Sequence, residues 1–380
     1  MIYSITGKKM STIDQLHKIG QSIWYDNIQR RLLENGELAQ MISNGDIRGV
    51  TSNPSIFHNA ISKSHDYDVA LKPLARSGCS PEEIFYQLAL EDIRNAADLF
   101  KPLYEQSKAA DGYVSMEVSP YLARDTQSTI SEAKRLWDLV NRPNLMVKIP
   151  ATEQGIEAIY KSIAAGININ VTLIFSLDRY KQVIEAFLSG LEARVAQGLP
   201  INSIASVASF FVSRVDTNVD SQLQLLIKSD VSKAAQATQL LGKSAIANAR
   251  LAYVMFRKMV NTERYSRLQA LGAHYQRPLW ASTSTKNPAY RDVMYVEELI
   301  GPDTVNTVPP QTLDAFKDHG RVEITLSEDA TDSTQIIKRL EGLGISMQQV
   351  TQQLEDEGVK TFSDAFDALL KTIKERSEAA

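Results

Sequence analysis

Short runs rich in β-branched and aromatic residues alternate with longer amphipathic stretches between residue 21 and about residue 310. Eight such runs can be counted along this part of the chain: Ser22–Asp26, Ile47–Asn53, Tyr113–Ser119, Leu145–Pro150, Ile169–Phe175, Ile204–Val212, Pro278–Ser282 and Thr304–Pro309. The alternation predicts a parallel sheet whose strands are joined by crossover helices. Because eight parallel strands close into a barrel, we predict an α/β protein with a (β/α)₈ TIM-barrel fold.

Two of the amphipathic stretches predict particular helices on the outside of the barrel. Ser176 is a suitable N-cap for the first helix, and Gly198 follows its last turn. Its apolar positions keep the helical period: Tyr180, Val183, Ile184, Phe187, Leu188, Leu191 and Val195. The second helix begins near Thr126. Its predicted apolar face has four members: Ile130, Ala133, Trp137 and Val140.

Two further helical segments lie outside the regular alternation. Between Asp220 and Arg277 the chain is rich in Leu, Ala, Lys, Gln and Arg, which predicts an extra pair of helices at about residues 221–276, between strands six and seven. Apolar periodicity at about residues 331–376 predicts a helical tail. Its apolar positions are Ile336, Ile337, Leu340, Leu343, Phe362, Phe366, Leu369 and Leu370. With no repeat or linker in the sequence, we expect residues 1–380 to form one barrel domain.

Composition and charge narrow the class of protein. Hydrophobic residues make up 43% of the 380-residue chain and charged residues 23%, which is typical of a soluble globular protein. The net charge of −4 gives no long-range attraction to nucleic acid or to an anionic membrane. No apolar stretch is long enough to span a bilayer, and the segment Met1–Met10 lacks the apolar core of a signal peptide. We therefore expect a cytoplasmic protein that binds small anions and has no nucleic-acid or membrane partner.

Cysteine and histidine usage argues against disulfide and metal chemistry. Cys79 is the only cysteine, so the chain can form neither an intrachain disulfide nor a thiolate zinc site. The five histidines are scattered, and none forms a pair at metal-ligand spacing. We therefore expect no metal in the site.

Lys148 interrupts an otherwise apolar run, Asn144-Leu-Met-Val-Lys-Ile-Pro-Ala151, at the end of the fourth predicted strand. Burial there disfavours the ammonium and leaves a nucleophilic amine, which can form a Schiff base with a carbonyl substrate. A lysine at a strand end can equally extend its ammonium to solvent. Lys148 alone does not decide between the two.

Carboxylates occupy equivalent places on neighbouring strands. Asp26 ends the first run, and Glu117 lies near the end of the third. Schiff-base chemistry needs groups that move protons, and two acids beside one amine would supply them. Either acid taken alone is more often an ion-pair or capping residue. Three ionisable groups at the strand ends of one apolar barrel favour a catalytic site.

Uncharged polar residues also recur at strand ends, although buried amides and hydroxyls need hydrogen-bond partners. Asn53 ends the second run, while Asn170 and Thr172 lie two apart and so face one side of the fifth strand. The hydroxyls of a sugar would satisfy these groups. Asn53, which precedes Pro54, is also a typical turn former.

An anion site is predicted beside the late strands. Ser209 and Arg214 lie at the end of the sixth run, and Ser282, Ser284 and Lys286 follow the seventh. Barrels commonly bind phosphate there, and an arginine fork with hydroxyls suits a phosphate dianion. Arg214 considered alone would more often be a surface residue.

Two of these segments resemble signatures of the transaldolase family, and the resemblance covers nearly the whole chain. Gly49-Val-Thr-Ser-Asn-Pro-Ser-Ile-Phe57 resembles one signature, and Asn144-Leu-Met-Val-Lys-Ile-Pro-Ala-Thr152 resembles that of the active-site lysine. The long insertion is similar to that of larger-chain bacterial and plant transaldolases. These transferases move a dihydroxyacetone unit from sedoheptulose 7-phosphate to glyceraldehyde 3-phosphate, giving erythrose 4-phosphate and fructose 6-phosphate in the non-oxidative pentose phosphate pathway. The resemblance implies that activity, with no metal or organic cofactor.

The resemblance also implies a role for each catalytic candidate. Lys148 would form the Schiff base, on the fourth strand, where the family has its lysine. Glu117 would act as acid and base through a water held by Thr172. Asp26 would deprotonate the C4 hydroxyl of the substrate during cleavage.

The substrate-binding candidates follow in the same way. Asn53 and Asn170 would hold the dihydroxyacetone hydroxyls, while Ser209 and Arg214 match the family's phosphate site. Lys286 stands about where shorter transaldolases have an arginine, and the Ser/Thr-rich segment before it differs from the shorter form.

Two other functions stay open. A fructose-6-phosphate aldolase uses the same lysine but releases free dihydroxyacetone. Such chains are shorter, and they resemble this one with glutamine in place of Glu117 and tyrosine in place of Phe211, so both positions favour transfer. A catalytically silent barrel that binds sugar phosphates would be expected to lose Lys148, Glu117 or Asp26. No apolar patch in the sequence fixes the oligomeric state, and a homodimer stays open.

Overall fold

The structure, a computed structural model, describes residues 10–378, so most of the segment examined for a signal peptide lies outside the described residues. Eight parallel strands form a closed barrel in chain order. They are β1 (Gln21–Tyr25), β2 (Gly49–Val50), β3 (Tyr113–Glu117), β4 (Leu145–Pro150), β5 (Ile169–Ile174), β6 (Ser206–Phe211), β7 (Gln276–Ala281) and β8 (Thr304–Val308). The predicted (β/α)₈ barrel is confirmed.

Helices follow the strands and surround the barrel. Within the described range they are α1 (Thr12–Ile19), α2 (Arg30–Glu34), α3 (Glu37–Ser43), α4 (Pro54–Ser62), α5 (Asp68–Arg76), α6 (Pro81–Gln106), α7 (Thr126–Val140), α8 (Glu153–Ala164), α9 (Leu177–Ala196), α10 (Ser213–Ser229), α11 (Val231–Thr238), α12 (Ser244–Val260), α13 (Glu263–Ala270), α14 (Met294–Glu297), α15 (Pro310–His319), α16 (Thr331–Gly342) and α17 (Met347–Glu378). None of these helices has the length and apolar character needed to cross a bilayer.

Burial on both faces explains why the strands are mostly apolar runs. Every strand residue except Arg277 is buried, because inward side chains fill the barrel and outward ones pack under the helices. Lys148 is therefore one of few charged residues inside a strand, and it lies on the fourth strand, as the sequence predicts.

The second strand is shorter than predicted. The run from Ile47 to Asn53 gives only the two-residue strand β2. Thr51 still donates its backbone N–H to the Tyr25 carbonyl at 2.9 Å, but Pro54 then starts α4. Proline has no N–H to donate to a neighbouring strand, and it is favoured in the first turn of a helix. The chain therefore enters α4 directly after the predicted strand residue Asn53.

The two helices predicted in detail are present, with corrections to their buried faces. Ser176 caps α9 by accepting the Arg179 N–H at 3.0 Å, as predicted, but Val195 in its last turn is 37% exposed. In α7 the buried residues are Thr129, Ala133, Leu136 and Val140. The other two predicted positions, Ile130 and Trp137, are partly buried and pack against the core, whereas the buried Leu136 was not predicted.

The interval between strands six and seven contains more helices than predicted. The sequence predicted one extra pair, whereas the interval holds the end of α10 and three complete helices, α11 to α13. Asp230 divides α10 from α11, since it ends one helix and its side chain caps the next. Helix propensity is high on both sides of this break, so composition alone did not reveal it.

The helical tail crosses the carboxyl end of the barrel. Gly358 in α17 approaches β5 so closely that an added Cβ would lie 3.0 Å from Leu173 Cδ2. Leu173 has a φ of 57°, at a register shift between Val171 and Ile174. This irregularity lies near the carboxyl end of β5, and such features commonly redirect side chains.

Candidate active site

A pocket of about 230 Å³ opens at the carboxyl ends of the strands. Ten of the twelve residues that the sequence singles out line it: Asp26, Asn53, Lys148, Thr172, Ser209, Phe211, Arg214, Ser282, Ser284 and Lys286. The other two, Glu117 and Asn170, are buried beside it in β3 and β5. The structure thus brings all twelve to one end of the barrel.

Lys148 and Glu117 face each other across neighbouring strands. They are register partners in the β3–β4 ladder, and Lys148 Nζ lies 3.5 Å from Glu117 Oε2. Lys148 Nζ also donates a 2.9 Å hydrogen bond to the Ser52 carbonyl. The residues are 5% and 9% exposed, so the alternative of a solvent-directed lysine is wrong.

Burial governs the proton affinity of Glu117. It raises the pKa of this carboxyl, and the nearby Lys148 ammonium only partly opposes the effect. Neither carboxyl oxygen of Glu117 has a hydrogen-bond partner within the described part of the chain, and the same holds for Thr172 Oγ1. Buried polar atoms normally have partners, so these oxygens are suited to bind a water or a substrate hydroxyl.

Asp26 lines the same pocket as Lys148. It follows β1, and its Oδ1 accepts a 2.6 Å hydrogen bond from Thr51 Oγ1, which lies 2.7 Å from Thr307 Oγ1. Burial raises the pKa of Asp26, while Lys148 and the Thr51 hydrogen bond act in the opposite direction. Because two acids with raised pKa values lie near one amine, the site contains groups that can donate and accept protons.

The two asparagines occupy different surroundings. Asn53 lines the pocket and also caps α4, since its side-chain oxygen accepts the Ile56 N–H at 3.0 Å. Asn170 is fully buried, where it donates to Ser115 Oγ at 3.0 Å and accepts from Ser209 Oγ at 2.7 Å. Asn53 therefore both caps α4 and lines the pocket.

Two cations converge on the late-strand side of the pocket. Arg214 lies in the first turn of α10, with its Cζ 5.8 Å from the centre of the Phe211 ring. Lys286 Nζ donates to Ser284 Oγ at 2.6 Å. Burial and the charge of Arg214 lower the pKa of Lys286, and burial lowers that of Arg214. An anion between them would relieve this repulsion.

Ser282 joins β7 to this cationic region. Its φ of 55° turns the chain, and its hydroxyl oxygen lies 3.0 Å from that of Ser213. The Ser213 N–H also donates to the Ser282 carbonyl at 3.0 Å. These bonds tie the first turn of α10 to the segment that carries Lys286.

Sequence reasoning missed six residues that line the pocket: Thr51, Ser55, Ala281, Thr307, Pro309 and Phe362. Thr51 and Ser55 belong to the same segment as Asn53, so their place near a strand end was an available signal. Phe362 lies in α17, far along the chain from every strand. No periodicity separates it from ordinary apolar helix positions, because only the tertiary fold places α17 over the barrel.

No group of three or more His, Cys, Asp or Glu that could hold a metal occurs within residues 10–378. The chemistry available to these residues is that of an amine, two carboxyls and two cations. Fold and site together define a barrel protein with a buried lysine beside a buried carboxyl and with two cations in the same pocket.

Comparisons with known proteins agree with this class. The family model described as Transaldolase/Fructose-6-phosphate aldolase matches residues 23–373. A transaldolase of Trichodesmium erythraeum is 46% identical over 95% of this chain and 96% of its own length. One of Thermobifida fusca is 46% identical over 97% of this chain and 99% of its own length. A solved citrate lyase of Burkholderia xenovorans is 12% identical over 67% of this chain and 92% of its own, with a TM-score of 0.24. The chain belongs to the transaldolase/fructose-6-phosphate aldolase family.

Proposed function

We propose that the protein is a transaldolase that carries a dihydroxyacetone unit on Lys148 and passes it from sedoheptulose 7-phosphate to glyceraldehyde 3-phosphate. The observation that carries the proposal is the buried Lys148 ammonium, 3.5 Å from Glu117, in a pocket that also contains Asp26 and two cations. The names of the relatives support transfer as the reaction. The products would be erythrose 4-phosphate and fructose 6-phosphate.

The first step joins the donor to the enzyme. The neutral amine of Lys148 attacks the C2 carbonyl of the ketose phosphate, and the carbinolamine loses water to give an imine. We assign proton transfer in this step to Glu117, acting through a water held by Thr172. The unpartnered oxygens of both side chains support that assignment, and so does the raised pKa of Glu117.

The second step breaks the C3–C4 bond. We assign removal of the C4 hydroxyl proton to Asp26, and the bonding electrons move into the imine to give an enamine on Lys148. Erythrose 4-phosphate leaves as the aldehyde. Asp26 is suited to this role because its raised pKa makes it a stronger base than an ordinary carboxylate.

The third step transfers the unit. The enamine carbon attacks the aldehyde carbon of glyceraldehyde 3-phosphate, whose oxygen takes the proton back from Asp26. Hydrolysis of the new imine releases fructose 6-phosphate and restores the Lys148 amine. Because the enamine stays covalently bound between donor and acceptor, free dihydroxyacetone is not an intermediate of the transfer.

The remaining candidates would bind the substrate. We assign the dihydroxyacetone hydroxyls to Asn53 and Asn170. The phosphate is assigned to Arg214, with Lys286 and nearby hydroxyls around it: Ser209, Ser282 and Ser284. The pKa values of both cations are lowered, chiefly by burial, which supports an anion at this place. Phe211 supplies an apolar wall beside Arg214.

Two acceptor experiments separate this proposal from its rivals. The protein is incubated with fructose 6-phosphate, with or without erythrose 4-phosphate, and glyceraldehyde 3-phosphate is measured. A transaldolase produces it in quantity only with the acceptor, together with sedoheptulose 7-phosphate. An aldolase produces it, with free dihydroxyacetone, without any acceptor. A silent sugar-phosphate-binding barrel produces none.

The cellular setting follows from the same proposal. Sugar phosphates are the proposed small-molecule partners, and the non-oxidative pentose phosphate pathway is the proposed route. We also propose a cytoplasmic location, supported by the single cysteine of the chain, Cys79.

A further inference from the structure

Two buried carboxylates lie on one face of α10, just after the residue assigned to the phosphate. Asp216 and Asp220 are 1% and 6% exposed and stand one helical turn apart. Arg214 precedes them in the first turn of the same helix. Neither carboxylate lines the pocket, so the mechanism above gives them no direct role.

The two carboxylates make matching pairs of hydrogen bonds. Asp216 accepts the Tyr295 hydroxyl at 2.8 Å with one oxygen and the Ala245 N–H at 2.7 Å with the other. Asp220 accepts the Tyr290 hydroxyl at 2.7 Å and the Gly242 N–H at 3.0 Å. Each therefore bridges two segments that are distant in the chain.

One bridged segment carries the second cation of the phosphate site. Tyr290 lies four residues after Lys286, and Tyr295 lies in α14. Thr285 Oγ1 donates to the carbonyls of Arg291 and Asp292 at 3.0 and 3.1 Å, which holds the intervening chain as a closed loop. The carboxylates of α10 thus fix the loop that holds Lys286 relative to the helix that holds Arg214.

The other bridged segment belongs to the helical insertion. Gly242 lies between α11 and α12, and Ala245 lies in the first turn of α12. Gly242 has a φ of 69°, and an added Cβ would lie 2.8 Å from Tyr290 Cζ. The insertion turn therefore packs directly against the tyrosine that holds the Lys286 loop.

Neutral donors, not cations, form the hydrogen bonds described above to these two buried carboxyl groups. Hydrogen bonds from tyrosine hydroxyls and backbone amides favour the ionised carboxylates, whereas burial disfavours them. Removing one tyrosine hydroxyl leaves a buried carboxyl oxygen without that donor. The local packing of the ring is retained in a phenylalanine variant.

We propose that Asp216 and Asp220 are positioning residues that set the separation of Arg214 and Lys286, and that the insertion supports the phosphate site through them. This inference rests on the proposed function, because it takes Arg214 and Lys286 to be the phosphate ligands. Substrates that lack the phosphate would not depend on this separation.

The test compares phosphorylated and unphosphorylated donors in Tyr290→Phe and Tyr295→Phe. Steady-state kinetics are measured with fructose 6-phosphate and with fructose, each with erythrose 4-phosphate, and inorganic phosphate binding is measured by calorimetry. We expect the KM for fructose 6-phosphate and the Kd for phosphate to rise on the order of 10-fold, as for loss of one buried hydrogen bond. The kcat, and the kcat/KM for fructose, should change less than about twofold.

Two further variants keep the result interpretable. Tyr253→Phe removes another buried hydroxyl, which donates to the Pro302 carbonyl at 3.4 Å, and should leave all constants unchanged. Asp220→Asn should reproduce the phosphate-selective effect if the ring substitution prevents folding. Unchanged constants for the phosphorylated donor, or equal losses for both donors, would overturn the inference.

Failure of the proposed function is distinguishable from failure of this inference. If the wild-type protein does not turn over fructose 6-phosphate with erythrose 4-phosphate, the transaldolase proposal fails. The calorimetric comparison of phosphate binding still tests the role of Asp216 and Asp220. If the wild type turns over and the Tyr290→Phe and Tyr295→Phe variants bind phosphate normally, only the positioning role fails.

Discussion

Glu117 and Lys148 are register partners in the β3–β4 ladder, and their charged groups lie 3.5 Å apart inside the barrel. The pairing explains how the chain holds a carboxyl beside an amine without a flexible loop, because both side chains are fixed by the strands that carry them. An isolated ammonium or carboxylate in this interior would be strongly destabilising. The ion pair therefore offsets part of the cost of burying each charged group, and it keeps both groups close to the position proposed for the substrate carbonyl.

Replacing Glu117 by glutamine should impair catalysis more than folding. Glu117→Gln keeps the side-chain volume but removes the proton-transfer group, so kcat should fall roughly 10²–10⁴-fold. In the wild type, the limb of the pH–rate profile that reports Glu117 should have an apparent pKa above the ordinary glutamate range, because burial raises the pKa of this carboxyl. In Glu117→Gln this limb should disappear. Steady-state kinetics across pH provide the measurement.

Glu355→Gln is the matched control for that change. Glu355 is also buried and pairs with Arg179 at 3.3 Å, but it lies outside the pocket at Lys148. We expect its kcat and pH profile to match the wild type. Equal losses in the two variants would contradict the assignment of acid–base work to Glu117.

Arg214→Ala should chiefly weaken binding of the phosphorylated substrate. The phosphate is held similarly in the ground state and the transition state, so the lost interaction is uniform and KM should rise about 10- to 100-fold. The kcat should change little. Arg142→Ala, at the amino end of β4 and paired with Asp98 at 2.6 Å, is the control and should behave as wild type. A loss confined to kcat would show that Arg214 is a catalytic positioner.

Stability should fall as pH rises through the titration of Asp216. Burial raises the pKa of Asp216 to about 7, well above its value in an unfolded chain, so the folded state binds the proton more tightly. The contribution is fully present below about pH 4 and is lost as pH rises towards 7, with a magnitude of a few kcal/mol at most. Asp216→Asn should flatten this part of the profile in urea unfolding. An unchanged slope in the variant would contradict the expectation.

Phe362→Ala should destabilise the protein and open one wall of the pocket. The ring is 5% exposed and connects α17 to the active site, so its loss should cost roughly 3–5 kcal/mol. Thermal unfolding measures this cost, and the KM for the sugar phosphate should rise as well. Leu225→Ala, whose side chain is 65% exposed, should leave the unfolding temperature unchanged. A wild-type unfolding temperature in Phe362→Ala would show that α17 does not stabilise the site.

The barrel could be predicted because its strands are buried on both faces and so appear as short apolar runs. Counting these runs placed Lys148 on the fourth strand before any contact was known, and the structure confirms it. The predicted length of the second strand was less accurate. Pro54 begins α4 and ends the strand early, because proline cannot donate a ladder hydrogen bond, and the pattern of apolar residues does not reveal this. Two helix positions were assigned wrongly, since Leu136 of α7 is buried without having been predicted and Val195 of α9 is exposed.

The sequence predicted those site residues that lie at or near the ends of strands. Asp26 and Thr172 end strands or lie near their ends, and barrel closure brings such positions together. Phe362 and the carboxylates on α10 depend on contacts between distant segments, which a sequence pattern does not specify. The hydrogen bonds of Asp220 to Tyr290 and Gly242 became visible only in the fold.

The central claim is the covalent role of Lys148, and trapping the imine tests it most directly. The protein is incubated with fructose 6-phosphate and sodium borohydride, and its peptides are examined by mass spectrometry. The account predicts a reduced dihydroxyacetone-derived adduct on Lys148, which is absent in Lys148→Arg because a guanidinium does not form the imine. A folded wild-type protein without the adduct, or with the adduct on another lysine, would contradict the account.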